Sequence, residues 1–107
     1  VNDLPHEIGP GSIVRSKAGR DKGRYFMVYS FDGGEYAYLA DGVLRRLDSP
    51  KKKKIKHLQA TGQTLETLNE KLKQDMKIFD AEVRRALEEA GFRNQPAAEE
   101  TKEGQFV

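Results

Sequence analysis

The sequence predicts an α+β fold, with a mainly β small barrel over residues 12–59 and one long amphipathic α-helix over 64–91. Three observations carry this. Between Ser12 and Leu58, short apolar and aromatic runs alternate with glycine-bearing turns. From Leu65 onward the apolar residues recur three or four positions apart. The charge changes at the same place: residues 12–58 hold 12 Lys+Arg against 5 Asp+Glu, a net +7, whereas residues 59–107 hold 7 against 10, a net −3. With −2 from residues 1–11, the modest total of +2 hides a basic half joined to an acidic one, a pattern expected of a polyanion-binding module with an appendage.

Composition sets the limits. A chain of 107 residues allows one domain plus an appendage, and with 36% hydrophobic and 34% charged residues its core must be small. A β unit of roughly 50 residues lies near the lower limit for folding without disulfides or metals. There are no cysteines, which removes disulfide frameworks, thiolate zinc sites and cysteine nucleophiles together, and fits a reducing compartment. No apolar run approaches the roughly 18 residues of a membrane span, and no basic segment followed by an apolar stretch opens the chain. A cytoplasmic protein with no membrane partner is expected.

The elements follow in order. Residues 1–11, with two prolines and two glycines, read as a flexible arm, and Gly9-Pro10-Gly11-Ser12 looks like a cloning remnant. Ile13-Val14-Arg15 begins a first strand. Ser16 to Arg24 is a polar loop carrying Gly19 and Gly23. Tyr25 to Phe31 is aromatic and β-branched, hence a strand, with Phe26 and Val28 as an inward pair. Asp32-Gly33-Gly34 turns the chain into a third strand, Glu35 to Ala40. Asp41-Gly42 then gives a strong hairpin signal, with Val43 to Leu47 as the return strand. Pro50 ends it. Lys51 to Leu58 is basic, anchored by Ile55 and Leu58, and fits a last short strand closing the barrel. Four or five short strands with tight turns suggest an SH3-like barrel more than a sandwich.

Residues 60–63 read as a linker. Leu65, Leu68, Leu72, Met76, Phe79, Val83 and Leu87 then form one continuous helical face. Thr61 or Thr64 is the expected N-cap, and Gly91 followed by Phe92 fits a left-handed C-terminal cap. A helix of about 26 residues would be near 39 Å long, more than a small barrel is wide. The uncovered part of its stripe invites a partner helix or self-association. Residues 92–107, rich in glutamate and with little apolar content, are expected to be a disordered acidic tail.

The candidate site is basic. Glycines at 19 and 23 leave room for a phosphate to approach the backbone, and Lys17, Arg20, Lys22 and Arg24 crowd the same loop. No Gly-Lys-Ser/Thr follows at the spacing of a nucleotide-binding P-loop. The plain alternative is a tight loop with solvated charges. The run Lys51, Lys52, Lys53, Lys54 with Lys56 and His57 is the second basic feature. Such a run is ordinarily a solvated face, but beside a second basic loop it supplies phosphate affinity without sequence specificity. Arg45 and Arg46 lie on opposite faces of their strand, so one of them, Arg46, is expected to join the patch. Most aromatics are needed to fill the barrel, and Tyr25, directly after the basic loop, is the best candidate for stacking on an unpaired base. His57 stands without a second histidine in an ordered region and without cysteine, so no metal site is expected. No Ser/His/Asp set or carboxylate pair has a framework. No catalytic residue, cofactor or small-molecule substrate is assigned, and the protein is not expected to be an enzyme.

The segment Ile13 to Val28, with its Ala18-Gly19-Arg20-Asp21-Lys22-Gly23 loop, resembles the KOW motif. Together with Tyr38-Leu39-Ala40-Asp41-Gly42 and Pro50 to Leu58, the stretch from Ser12 to Gln59 looks like small bacterial KOW-domain RNA-binding proteins. These are related to large-subunit ribosomal proteins of archaea and eukaryotes. The resemblance implies an SH3-like barrel that binds ribosomal RNA and acts in translation or ribosome assembly, using Lys17, Gly19, Arg20, Lys22, Gly23 and Arg24. It does not extend over the helix. The alternative is a protein-interaction module, associated with transcription or translation, that works through the helix stripe.

Overall fold

Val14 and Phe26 stand opposite each other on neighbouring strands, both fully buried, in the computed structural model, which describes residues 8–94. Around them the apolar runs form five strands: β1 (Ser12–Ser16), β2 (Tyr25–Asp32), β3 (Tyr36–Ala40), β4 (Lys51–Lys54) and β5 (Leu58–Thr64). All pairings are antiparallel, in one sheet of order β4-β3-β2-β1-β5. The protein is mixed α+β and mainly β.

Period-two alternation puts both faces of this sheet inside. Val14, Phe26, Val28, Ala37 and Leu39 point to one face, where Leu58 and Ile8 join them. Ile13 and Met27 point to the other, with Tyr25 and Tyr29 beside them, and there the helices cover them. This is why Phe26-Met27-Val28 reads as an unbroken apolar run: the central strand is buried on both sides.

The expected closed barrel does not form. Among the described residues the edge strands β4 and β5 are not paired with each other, and a 3-10 turn, Ile55–His57, separates them. Ile8 packs into the core with Leu58 and Ile55, so side chains rather than edge hydrogen bonds cover apolar surface there. Two further expectations fail in the same region. Residues 60–63 are not a linker but belong to β5, which pairs with β1 as far as Thr64. Residues 8–11 are not a loose arm: Ile8 is buried, the Gly11 N–H donates to the Val28 carbonyl at 2.8 Å, and Asn69 Nδ2 donates to the Pro10 carbonyl at 2.6 Å. Residues 1–7 and 95–107, which hold most of the expected arm and tail, lie outside the described residues.

Val43–Leu47 is no return strand. The chain leaves the sheet at Asp41, and the partner of β3 is the lysine strand β4, with Leu39 opposite Lys51 and Ala37 opposite Lys53. The cause is the Asp41 side chain. Its Oδ1 accepts from the N–H groups of Val43 and Arg45, both at 2.9 Å, folding the backbone into a local loop that competes with strand pairing. Continuing the β2–β3 register would bring Gly42 opposite Tyr25. That place is taken by Asn94, whose Oδ1 accepts from the Tyr25 N–H at 2.7 Å and whose Nδ2 donates to the Tyr25 carbonyl at 2.9 Å.

The single long helix is also broken. Two helices form, α1 (Glu66–Lys73) and α2 (Asp80–Glu89). Asp75 takes a left-handed backbone, φ 60°. The Met76 N–H donates to the Lys71 carbonyl at 2.8 Å and the Asp75 N–H to the Leu72 carbonyl at 3.1 Å. That pair of bonds is a Schellman stop with aspartate in the place usually held by glycine. A second such stop ends α2, with Gly91 at φ 91° and the Phe92 N–H bonded to the Leu87 carbonyl at 2.9 Å, as the sequence leads one to expect. The start of α1 differs from expectation: its N-cap is Leu65, while Thr61 sits in β5 and donates to the Ile13 carbonyl. Breaking the helix lets both halves lie on the same sheet face. Lys71 of α1 and Glu82 of α2 then meet at 2.6 Å.

Candidate nucleic-acid interface

Two segments that are separate in sequence lie side by side. The loop between β1 and β2 turns back on itself, with the Gly23 N–H bonded to the Ser16 carbonyl at 2.8 Å and both Gly19 and Gly23 at positive φ. It is fastened to the basic segment at two points. Lys53 Nζ donates to the Ala18 carbonyl at 2.7 Å, and the Lys17 N–H donates to the His57 carbonyl at 2.8 Å. The loop and the lysine run therefore form one surface.

At its centre is a groove of about 430 Å³. It is lined by the apolar residues Ile8, Ile55 and Leu58 and by the cationic residues Lys17, Lys54 and Lys56. The turn between β2 and β3 adds Gly34 and Glu35. Arg20 and Lys22 are exposed on the adjoining loop. These five cations have no ion-pair partner among the described residues.

The remaining candidates are divided by strand alternation and by ion pairs. Lys51 and Lys53 share a sheet face with Leu39 and Ala37, so their stems run along the core edge. Lys52 and Lys54 point the other way, opposite Tyr38 and Tyr36. Lys52 is engaged: its Nζ lies 3.0 Å from Asp32 Oδ2 and 4.7 Å from the centre of the Tyr36 ring. The Asp32 carboxylate raises the Lys52 pKa above the ordinary lysine value. The lysine run is thus not one uniform patch. His57 is half-buried and contributes its carbonyl to the loop attachment.

Arg24 does not extend into solvent. Its guanidinium lies 3.4 Å from Asp41 Oδ2, and Arg45 reaches Asp21 at 2.8 Å. Asp21 and Asp41 are both buried, so the two loops exchange ion pairs and clamp each other. Arg46 is exposed but turned toward α2, 3.5 Å from Asp80, and so away from the groove. Tyr25 is not free to stack on a base. It is half-buried against the helices, and the Phe92 ring lies 5.0 Å from its own. Of the expected partner-helix face, Leu65, Leu68, Val83 and Leu87 are buried in the core and Leu72 is partly so; only Met76 and Phe79, in the break between helices, are exposed.

Sequence reasoning missed Ile8, Glu35 and Asn94. Ile8 was hidden in a segment rich in proline and glycine, Glu35 read as the opening residue of the third strand, and Asn94 lies in a polar tail. Among the described residues no group of three or more His, Asp or Glu side chains is placed to hold a metal ion. No helix among them is long and apolar enough to cross a membrane.

Compared with models of known families and with curated proteins, the chain matches none. The groove is therefore interpreted on its own chemistry.

Proposed function

We propose that this protein is a non-catalytic RNA-binding module of the KOW type, an SH3-like sheet in open form, acting in the cytoplasm on ribosomal RNA, in translation or ribosome assembly. The observation that carries this is the convergence of Lys17 from the loop with Lys54 and Lys56 from the β4–β5 connection on one groove, beside the exposed Arg20 and Lys22. Cations grouped on one surface and free of acidic partners bind a phosphate chain by releasing its counterions. The KOW resemblance of Ser12 to Gln59 supports the same reading, and so do five short antiparallel strands around one small core.

Fluorescence anisotropy with a structured ribosomal RNA fragment tests it. If each of the five cations meets one phosphate, the log–log salt slope is roughly −3.5 for single strands and −4.5 for duplex. Affinity then falls roughly 100- to 500-fold between 50 and 200 mM salt. Affinity unchanged over that range, or absent, refutes the proposal.

A further inference from the structure

We infer that the groove takes a single unstacked RNA base whose edge donates hydrogen bonds, with guanine preferred and uracil disfavoured. The inference rests on the RNA-binding reading and adds to it which part of an RNA is recognised. A purely electrostatic phosphate site needs no apolar lining. This one is concave, about 430 Å³, and Ile8, Ile55 and Leu58 line it with apolar surface. That volume lies in the range of about 300–1,000 Å³ typical of small-molecule pockets. A base is a flat apolar body with polar edges, and bases become available in this way only where RNA is unpaired. Lys17, Lys54 and Lys56 fit the phosphates that flank such a base.

Glu35 supplies the selection. It is an exposed acid lining a groove otherwise charged by lysines, with no ion-pair partner among the described residues. Against a polyanion its charge is unfavourable everywhere except where a donor meets it. An ionised carboxylate accepts and cannot donate. It therefore favours the adjacent ring N–H and amino group of guanine. Cytosine and adenine offer an amino group, and uracil offers only a ring N–H. Glu35 is held in place through its backbone, since its carbonyl accepts from the Ile55 N–H at 2.8 Å. The side chain can thus be changed without removing that bond.

The test uses the full chain with three short RNAs: an all-uridine oligomer, the same oligomer with one central guanosine, and a duplex of equal length. The guanosine oligomer should bind about tenfold or more tightly than the all-uridine one, as one paired base-edge contact provides. The duplex should gain no such advantage. Glu35→Gln should reduce the gap to about threefold or less, because glutamine both donates and accepts, while all-uridine affinity holds or rises. If both single strands bind equally, or the gap survives Glu35→Gln, the base groove is refuted while salt-dependent binding still supports the RNA reading. If polyglutamate displaces both oligomers equally and no guanosine preference exists, the groove senses charge alone and the inference falls. If none of the RNAs binds, the RNA reading itself fails.

Discussion

Replacing Lys17, Lys54 and Lys56 together by glutamine separates the cations that face the groove from those used to hold the fold. All three are exposed, so the change should alter stability by no more than about 0.5 kcal/mol each. It removes three of the five cations in and beside the groove that lack ion partners among the described residues, leaving Arg20 and Lys22. At one phosphate per cation, the single-strand slope should drop from roughly −3.5 to roughly −1.4. The loss of affinity between 50 and 200 mM salt would then shrink from about 100-fold to about 7-fold. Lys52→Gln is the matched control. It removes one unit of charge against three in the triple variant, but Lys52 is occupied by Asp32 and the Tyr36 ring, so the slope should hold. Anisotropy titrations at four salt concentrations, with circular dichroism confirming the fold, measure both. A slope unchanged in the triple variant, or reduced by Lys52→Gln by a third as much as by the triple, would refute this partition of the cations.

Three further outcomes follow from the packing. Gly42 has φ 80° and a Cβ there would overlap the Asp80 carbonyl oxygen at the start of α2, so Gly42→Ala should cost about 2–5 kcal/mol in chemical denaturation, strain and overlap together. Gly33→Ala, at φ 68° but with open space around it, should cost only about 1–2 kcal/mol; equal losses would show that the overlap does not matter. Asp75→Gly should stabilise by a few tenths to about 1 kcal/mol, since glycine takes the left-handed turn without penalty, and destabilisation would contradict the Schellman assignment. Glu82 is held below the ordinary carboxylate pKa, first by the Lys71 ammonium and then by the Phe79 N–H. Its folded pKa is lower than its unfolded one, so its contribution, about 0.5–1 kcal/mol, is complete above the usual carboxylate value near 4.5 and is lost as pH falls through the lowered value. Wild type and Glu82→Gln should therefore converge in melting temperature under acid, and a constant difference from pH 7 to pH 2 would count against the Lys71–Glu82 link.

Which parts of the fold were legible depends on whether local pattern or side-chain competition decided them. β2 was readable because Phe26, Met27 and Val28 form an unbroken apolar run and all three are in the core. The Gly91–Phe92 cap was readable because glycine stands at the left-handed position. Asp41-Gly42 misled because the same dipeptide suits a hairpin and an aspartate-capped loop; the outcome turns on where the Asp41 carboxylate finds partners. Besides the two local N–H groups, it meets Arg24 and Asn94, both at 3.4 Å, and Asn94 comes from the far end of the fold. The helix break was hidden for a related reason. Leu65, Leu68, Leu72, Val83 and Leu87 keep a helical spacing on both sides of Asp75, so the stripe looks continuous although Ile78, between the two halves, is the buried residue. For the site, the basic segments were legible one by one, whereas their joining through Lys53 and Ala18 was not.

The ion pairs also show why counting charge overstates a binding surface. In the basic half, Asp21 is matched by Arg45, Asp41 by Arg24 and Asp32 by Lys52, and Asp80 of α2 takes Arg46. Three of those four cations are arginines, whose fork suits fixed pairing, while four of the five cations in and beside the groove are lysines, strongly hydrated point charges. These pairs leave Lys17, Lys54 and Lys56 at the groove, with Arg20 and Lys22 beside it, outside any ion pair among the described residues. The short-range field there is set by Lys17, Lys54 and Lys56 against the single carboxylate of Glu35. Neutralising that carboxylate should strengthen binding to a featureless polyanion and weaken discrimination between bases, two effects of opposite sign from one exposed side chain.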